Sequence, residues 1–431
     1  MNRTQEFLIR ALFVRAFRLL VSWTIDETQA VVDTRPYRTS IKIMKHKQTI
    51  AVYGGSFDPI HKGHTAIIKN LVNQFDRVVV VPAFMSPHKK QHDYALAAHR
   101  LKMIQLALEE ENLLQNQYID ISAYELDRQA ATYTIDTVQY LKNLYPAARL
   151  YFCIGSENLK TLHLWKDFDT LNKLVEFFVI SRPSFFQVIP PNINAAIAPF
   201  SGLDTSSSLI KALIALNEYH LINKHSPLPD FDAHLHTSVL DYIRTQNIYP
   251  MHNKIGKLYH RFAFNKNRIP HILGTIKLAI TLAKLYNIDS HKASLAALLH
   301  DIAKYTTPLQ VKEQGLNIDI NRINHVVYHA RVGEVIARQL LKIDDSDILN
   351  AIKYHTTKRA DMSILEKITA LADYLEENRD FEEIAQMREM LFIDIDKAMK
   401  MVLEDMIRKL EAKNKDIYYS TKEAYDFYNK E

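Results

Sequence analysis

Residues 54–64 read Gly54-Gly55-Ser56-Phe57-Asp58-Pro59-Ile60-His61-Lys62-Gly63-His64 (GGSFDPIHKGH), and this stretch decides how the first half of the chain is built. The apolar run at residues 50–53 predicts a short strand, and the apolar spacing of residues 65–75 predicts a helix. The quoted stretch is therefore a strand-to-helix turn. Gly54 and Gly55 allow the backbone to approach a phosphate closely, and Ser56 and Phe57 continue the same turn. The free N–H groups and positive end of the following helix favour the phosphate charge. His61 and His64, three apart, can face the same phosphates, and imidazole donates hydrogen bonds near neutral pH. In nucleotidyl transfer the incoming phosphate is the nucleophile, so no Ser-His-Asp or Cys-His set is needed. The protein positions the reactants and stabilises the departing pyrophosphate.

This segment resembles the HxGH nucleotidyltransferase superfamily, which implies a Rossmann-like α/β fold with a parallel sheet. Across residues 50–249 the chain further resembles the bacterial nicotinate-nucleotide adenylyltransferase family. The matching pieces include Ser86-Pro87-His88-Lys89, Arg100 at a helix start, Glu125-Leu126, Thr132 to Thr137, Ile154-Gly155-Ser156-Glu157-Asn158-Leu159 and Leu164-Trp165-Lys166. The resemblance implies that Lys89 and Gly155 serve ATP and that Thr132, Tyr133, Asp136 and Trp165 hold nicotinate mononucleotide. There the indole would stack on the electron-poor pyridine ring; a core tryptophan is the plain alternative. An ATP-binding helix start appears as Thr205 to Lys211, with Ser207, Ser208 and Lys211 as the carried-over positions. Lys211 stands where the family has arginine, giving a point charge without the bidentate fork. Glu157 stands for the commoner Asp, and residues 239–249 resemble the closing helix. Mg²⁺ is the implied ion, with nicotinamide mononucleotide or another phosphorylated acceptor as the alternative to nicotinate mononucleotide.

After Tyr249 the pattern changes. Apolar residues recur at helical spacing in residues 272–285, 292–302, 332–341 and 364–375, which predicts an all-helical second domain without internal repeats. Its chemistry-bearing residues are His271, the pair His300-Asp301, His329, His355 and Asp373, spread along the chain on or beside the expected helices. Mixed nitrogen and oxygen donors suit iron, manganese or zinc. A second ion nearby would let both attacking and leaving oxygens of a phosphate be bound. A charged Asp301 set against the apolar run Ala296 to Leu299 calls for a partner or a metal.

From about residue 269 to 388 this half resembles the HD-domain metal phosphohydrolases, and within them the symmetrical diadenosine tetraphosphate hydrolases. The resemblance rests on Ala297 to Lys304, Tyr354-His355-Thr356-Thr357, Met362-Ser363 and Glu366 to Glu376. It implies His271, His300, Asp301 and Asp373 on a first metal, His329 and His355 on a second metal or a substrate phosphate, and Lys304 on phosphate charge. Fe²⁺ or Mn²⁺ is the implied ion, and a nucleotide-sensing role without turnover is the alternative. Lys358 stands where the family tends to have glycine.

The expected organisation is thus an extension at residues 1–44, a transferase domain at 45–250 and an HD-domain helical bundle at 251–431. With 54 Lys+Arg against 49 Asp+Glu, the net charge of +5 suits anionic nucleotides and does not point to nucleic-acid binding. The single cysteine, Cys153, can form no intramolecular disulfide, which fits a reducing cytoplasm. Residues 7–23 are apolar but interrupted by Arg10, Arg15 and Arg18, too charged for a stable membrane span. The expected partners are ATP, nicotinate mononucleotide and diadenosine tetraphosphate, with a homo-oligomer left open.

Overall fold

The computed structural model describes residues 47–84, 95–128, 130–181, 189–223 and 231–430. The expected extension at 1–44 and the expected loop residue Lys89 lie outside them.

The strands are β1 (Thr49–Gly55), β2 (Arg77–Pro82), β3 (Ile119–Ile121), β4 (Arg149–Gly155), β5 (Val175–Ser181) and β6 (Ala195–Ser201). They form one parallel sheet in the order β3-β2-β1-β4-β5-β6. The central strands are near-continuous apolar runs because helices cover both faces; Ile50, Ala51 and Val52 of β1 and Val78 to Val81 of β2 are buried. Pro199, which has no N–H to give a ladder, sits in the edge strand β6. The order reverses between β1 and β4, so the carboxyl ends of these two strands open a crevice at the switch point, where such sheets bind their ligands.

The helix after β1 starts earlier than the apolar spacing predicts. It spans Lys62–Val72 with His61 as an extended N-cap. His64 thereby lies in the first helical turn and not in the loop before it.

Everything described from residue 231 onward is helical or turn. Of the four expected helices, Ile269–Leu285 starts earlier than predicted, Tyr328–Gln339 starts four residues earlier and ends two earlier, and Ile364–Leu375 matches. The fourth, Ser290–Leu299, stops short of its predicted end, with His300 as its C-cap. Turns closed by Ile302 N to Leu299 O and Lys304 N to Asp301 O follow. The His300-Asp301 pair therefore sits at a helix end.

The two halves share one apolar core. Helix Ser207–Ile222 buries residues on every side, from Leu209 round to Leu216, because it packs against helices Pro250–Arg261, Ile269–Leu285 and Ser290–Leu299 of the second half while its other side joins the sheet's core. Gly256 marks the closest approach: a Cβ there would lie 2.4 Å from the Ala215 carbonyl oxygen. No helix among the described residues is long and apolar enough to cross a membrane.

Candidate active sites

At the switch point, the expected phosphate turn lies at the end of β1. Gly54 and Gly55 have ordinary negative φ. A Cβ at Gly54 would meet nothing closer than 3.6 Å, whereas one at Gly55 would come within 3.2 Å of the Phe57 ring. Phe57 takes the turn's left-handed conformation, φ 47°, and is fully buried with its edge on His64. Gly63 is required for space: a Cβ would lie 2.6 Å from Thr205 Cγ2. That contact brings the start of helix Ser207–Ile222 against the turn, and Ser207 Oγ donates to Pro59 O at 3.0 Å. Ser208 offers its carbonyl to Ser294 Oγ of the second half at 3.1 Å. Ser56 offers its carbonyl to Arg100 at 2.8 Å.

The rings of His61 and His64 stack with centroids 3.6 Å apart. His64 Nδ1 accepts from His61 N at 3.2 Å, which leaves the ring proton on Nε2. Gly155 ends β4 across the crevice, with the Glu157 carboxylate folded over it.

Lys211 pairs with a carboxylate. Its ammonium is 2.6 Å from Asp58 Oδ2, and both side chains are buried. Asp58 Oδ1 accepts from Tyr249 OH at 2.7 Å and Ala95 N at 3.1 Å. Arg100, nearly fully buried, donates to the carbonyls of Ser56, Ala83, Phe84 and Ala95, lacing together the ends of β1 and β2. Asp58 and Arg100 were both quoted in the sequence motifs, but their structural roles escaped the sequence reading. Their signal was a charge within, or just downstream of, apolar elements, but no spacing named their partners.

Lys166, next to Trp165 in the chain, sets its ammonium 4.4 Å from the Tyr133 ring centroid, the contact that links the Trp165 segment to Thr132, Tyr133 and Asp136. Asp136 accepts from Tyr133 N at 3.1 Å and so caps helix Thr134–Leu144. Thr132 Oγ1 donates to Ala130 O. Trp165 meets Phe152 and Phe177 edge-on and remains half-buried. Beside them, burial pushes the Glu125 carboxyl up to about 6, although it accepts from Thr137 Oγ1 at 2.6 Å.

In the helical half, the expected ligands converge from separate helices. His271 Nε2 is 3.4 Å from His300 Nε2 and 3.1 Å from Asp373 Oδ1; His300 Nε2 is 3.6 Å from the same oxygen. His329 Nε2 is 3.2 Å from His355 Nε2. Asp301 stands between the two sets. Its Oδ2 faces His300 Nε2 at 3.6 Å and His271 Nε2 at 4.0 Å, and its Oδ1 faces His329 Nε2 at 3.3 Å and His355 Nε2 at 3.7 Å.

These residues fit a metal. Asp301 Oδ1 is buried and makes no hydrogen bond, with the Lys304 ammonium 3.4 Å away as its cation, so it keeps lone pairs that a metal ion could take. Burial pushes His300 down to about 4 and His329 to about 3, so both rings carry free lone pairs near neutral pH. The sets His271, His300, Asp373 and His300, Asp301, His355 each keep their ligand atoms within 4.8 Å of one another.

Lys304 reaches the same place, 3.4 Å from Asp301 Oδ1 and 3.3 Å from His329 Nε2. Two neighbours were missed in the sequence. Arg268 donates to Asp301 Oδ2, and Thr356 Oγ1 lies 3.1 Å from His329 Nε2. Lys358 holds φ 61° and buries its ammonium on the carbonyls of His355 and Thr356.

A cytidylyltransferase-like family model matches residues 52–213, and an HD domain model matches residues 268–378. A probable nicotinate-nucleotide adenylyltransferase/Ap4A hydrolase of Mycoplasma genitalium is 30% identical over 347 residues, covering 78% of this chain and 90% of its own. A probable nicotinate-nucleotide adenylyltransferase of Methylacidiphilum infernorum is 33% identical over 202 residues, 46% of this chain and 91% of its own. A symmetrical bis(5'-nucleosyl)-tetraphosphatase of Halalkalibacterium halodurans is 38% identical over 165 residues, 37% of this chain and 88% of its own. With a two-part relative spanning both sites and a one-part relative for each half, the chain belongs to the family of fused nicotinate-nucleotide adenylyltransferase/Ap4A hydrolases.

Proposed function

We propose that the chain is a bifunctional enzyme of NAD biosynthesis. Its first half transfers AMP from ATP to nicotinate mononucleotide, giving nicotinate adenine dinucleotide and pyrophosphate. Its second half hydrolyses diadenosine tetraphosphate to two ADP. The observation that carries the reading is the pairing of a switch-point histidine turn with a largely buried cluster of four histidines and two aspartates on one chain.

For the transfer, the triphosphate lies across the ends of β1 and β4, over the starts of helices Lys62–Val72 and Ser207–Ile222. His64 directs its Nε2 proton at phosphate oxygen, with His61 stacked beside it. Trp165 and Tyr133 take the pyridine ring, and Thr132 and Asp136 shape that pocket. The phosphate oxygen of nicotinate mononucleotide attacks the α-phosphorus, the α–β bridge breaks, and pyrophosphate leaves with the charge. Mg²⁺ is the ion that suits this step.

In the helical half, His271, His300, Asp301 and Asp373 would hold one Fe²⁺ or Mn²⁺, and His329 and His355 a second ion or a substrate phosphate. Such ions supply Lewis acidity, making water a nucleophile near neutral pH and screening phosphate charge. Lys304 stabilises charge on the phosphate being cleaved, and water adds to the phosphorus as ADP departs. We place the division of labour at residues 45–250 and 251–431, consistent with the Tyr249 hydroxyl belonging to the Asp58 cluster. The working compartment is the cytoplasm, where these nucleotides are made.

Chromatography of products decides the hydrolase. With diadenosine tetraphosphate and Mn²⁺ or Fe²⁺, ADP alone is expected, lost in Asp301→Ala. ATP plus AMP would mean another cleavage position, and no turnover would favour sensing. Parallel assays with nicotinate and nicotinamide mononucleotide decide the acceptor.

A further inference from the structure

We infer that Glu376 is the positioning residue that keeps His271 in the ring form able to ligate a divalent cation, and that position 274 is glycine so that Glu376 can reach it. The inference rests on the metal-dependent hydrolase reading above.

A histidine that offers Nε2 to a metal must carry its proton on Nδ1, and that proton needs an acceptor. His300 and His355 obtain one locally. Each stands just past a helix C-terminus, where carbonyls are left without helical partners. Their Nδ1 atoms lie 2.6 Å from Ala297 O and 2.7 Å from Ile352 O, three residues back in each case. Both acceptors are main chain, so no substitution removes them.

His271 sits at the opposite end of its helix, in the first turn of Ile269–Leu285. There the orphan backbone groups are N–H donors, and a local carbonyl is not to hand. Its Nδ1 instead lies 3.1 Å from Glu376 Oε1, a side chain from the far end of another helix. Glu376 follows Asp373 by three residues, so one segment supplies both a ligand for the site and the acceptor behind a second ligand.

The carboxylate is built in. Glu376 is 1% exposed, and its Oε2 accepts from Asn378 N at 2.7 Å and Asn378 Nδ2 at 2.8 Å. Asn378 Nδ2 also donates to Pro270 O at 3.0 Å, which ties this turn to the helix of His271. From outside, Arg388 holds the Leu375 and Arg379 carbonyls. Gly274, one turn beyond His271 on the same face, leaves the room: a Cβ there would lie 2.2 Å from Glu376 Oε2. A methyl group at 274 would push the carboxylate away from His271 without touching any ligand.

The test is a Mn²⁺ titration of the full-length chain, read by electron paramagnetic resonance, with adenylyltransferase activity assayed in the same preparation as the folding control. Glu376→Ala should weaken Mn²⁺ binding by about 10- to 100-fold, with adenylyl transfer unchanged. Glu376→Met, which fills the same space without an acceptor, should lose as much affinity as Glu376→Ala, whereas Glu376→Gln keeps one acceptor oxygen and should lose less; a packing role alone would spare both. Gly274→Ala should fall between them. Unchanged Mn²⁺ affinity in Glu376→Ala, or equal loss in Glu376→Gln, overturns the inference. Should Glu376→Ala lose adenylyl transfer as well, Gly274→Ala decides by the same criterion. A wild-type chain that binds no Mn²⁺ would instead sink the hydrolase reading itself.

Discussion

The two sites use the same side chain in opposite senses. In the switch-point turn, His64 Nδ1 accepts a backbone N–H, so its outward nitrogen carries a proton and donates. In the helical half, the Nδ1 atoms of His271, His300 and His355 each face an acceptor, the arrangement that leaves the inward nitrogens available to the proposed metal. The protonation state is assigned from the partners. Imidazole is thus neither a phosphate ligand nor a metal ligand by nature. The group behind Nδ1 decides which: a backbone N–H at a helix start for His64, carbonyls at helix finishes for His300 and His355, and for His271, itself at a helix start, the Glu376 carboxylate.

Reciprocal substitutions break this contrast most forcefully. Asp301→Ala should reduce diadenosine tetraphosphate hydrolysis to background and leave adenylyl transfer intact. His64→Ala should lower the adenylyltransferase kcat by about 10²–10³-fold and leave hydrolysis intact. Steady-state assays of both activities on each variant check the pair, and loss of both activities in either variant would show that the sites are not chemically independent.

A smaller effect distinguishes a charge used for structure from one used for substrate. Lys211→Met strands the buried Asp58 carboxylate and should cost about 3–5 kcal/mol of stability by denaturant unfolding, with much of it recovered in Lys211→Met/Asp58→Asn. A raised KM for ATP with stability unchanged would return Lys211 to the nucleotide.

The smallest effect concerns Glu125. Its folded pKa of about 6 exceeds the ordinary carboxyl value of 4.5. The folded state therefore holds the proton more tightly than the unfolded chain. The stability tied to the protonated carboxyl is fully present below about pH 4.5 and is lost as pH rises through 6. Glu125→Gln, neutral throughout, should have a higher Tm than wild type at pH 8 and no advantage at pH 5. A pH-independent difference would mean that the carboxyl is not desolvated.

Much of this was legible in the chain. The turn at 54–64 follows from glycines and histidines between a β-branched run and a helical period, and the His300-Asp301 pair stands out because charge follows an apolar helix. Convergence was not legible: His271, His329, His355 and Asp373 are spread over about a hundred residues, and only the packing of helices brings their nitrogens and oxygens together. The Lys211–Asp58 pair was hidden for the same reason, since 153 residues separate its members. Helix ends were misjudged where a side chain intervened, as at His61 and His300, because apolar periodicity carries no information about caps.

The helix Ser207–Ile222, buried on all sides, sets a timetable for synthesis. When the ribosome has finished the sheet and this helix, the helices that cover its far side, ending in Ser290–Leu299 and backed by residues to 430, are still to be made. At ordinary elongation rates the stretch through Leu299 takes on the order of four to fifteen seconds to emerge. For that interval the nascent first half carries a bare apolar flank, the very surface that folding helpers grip and that neighbouring nascent chains can stick to.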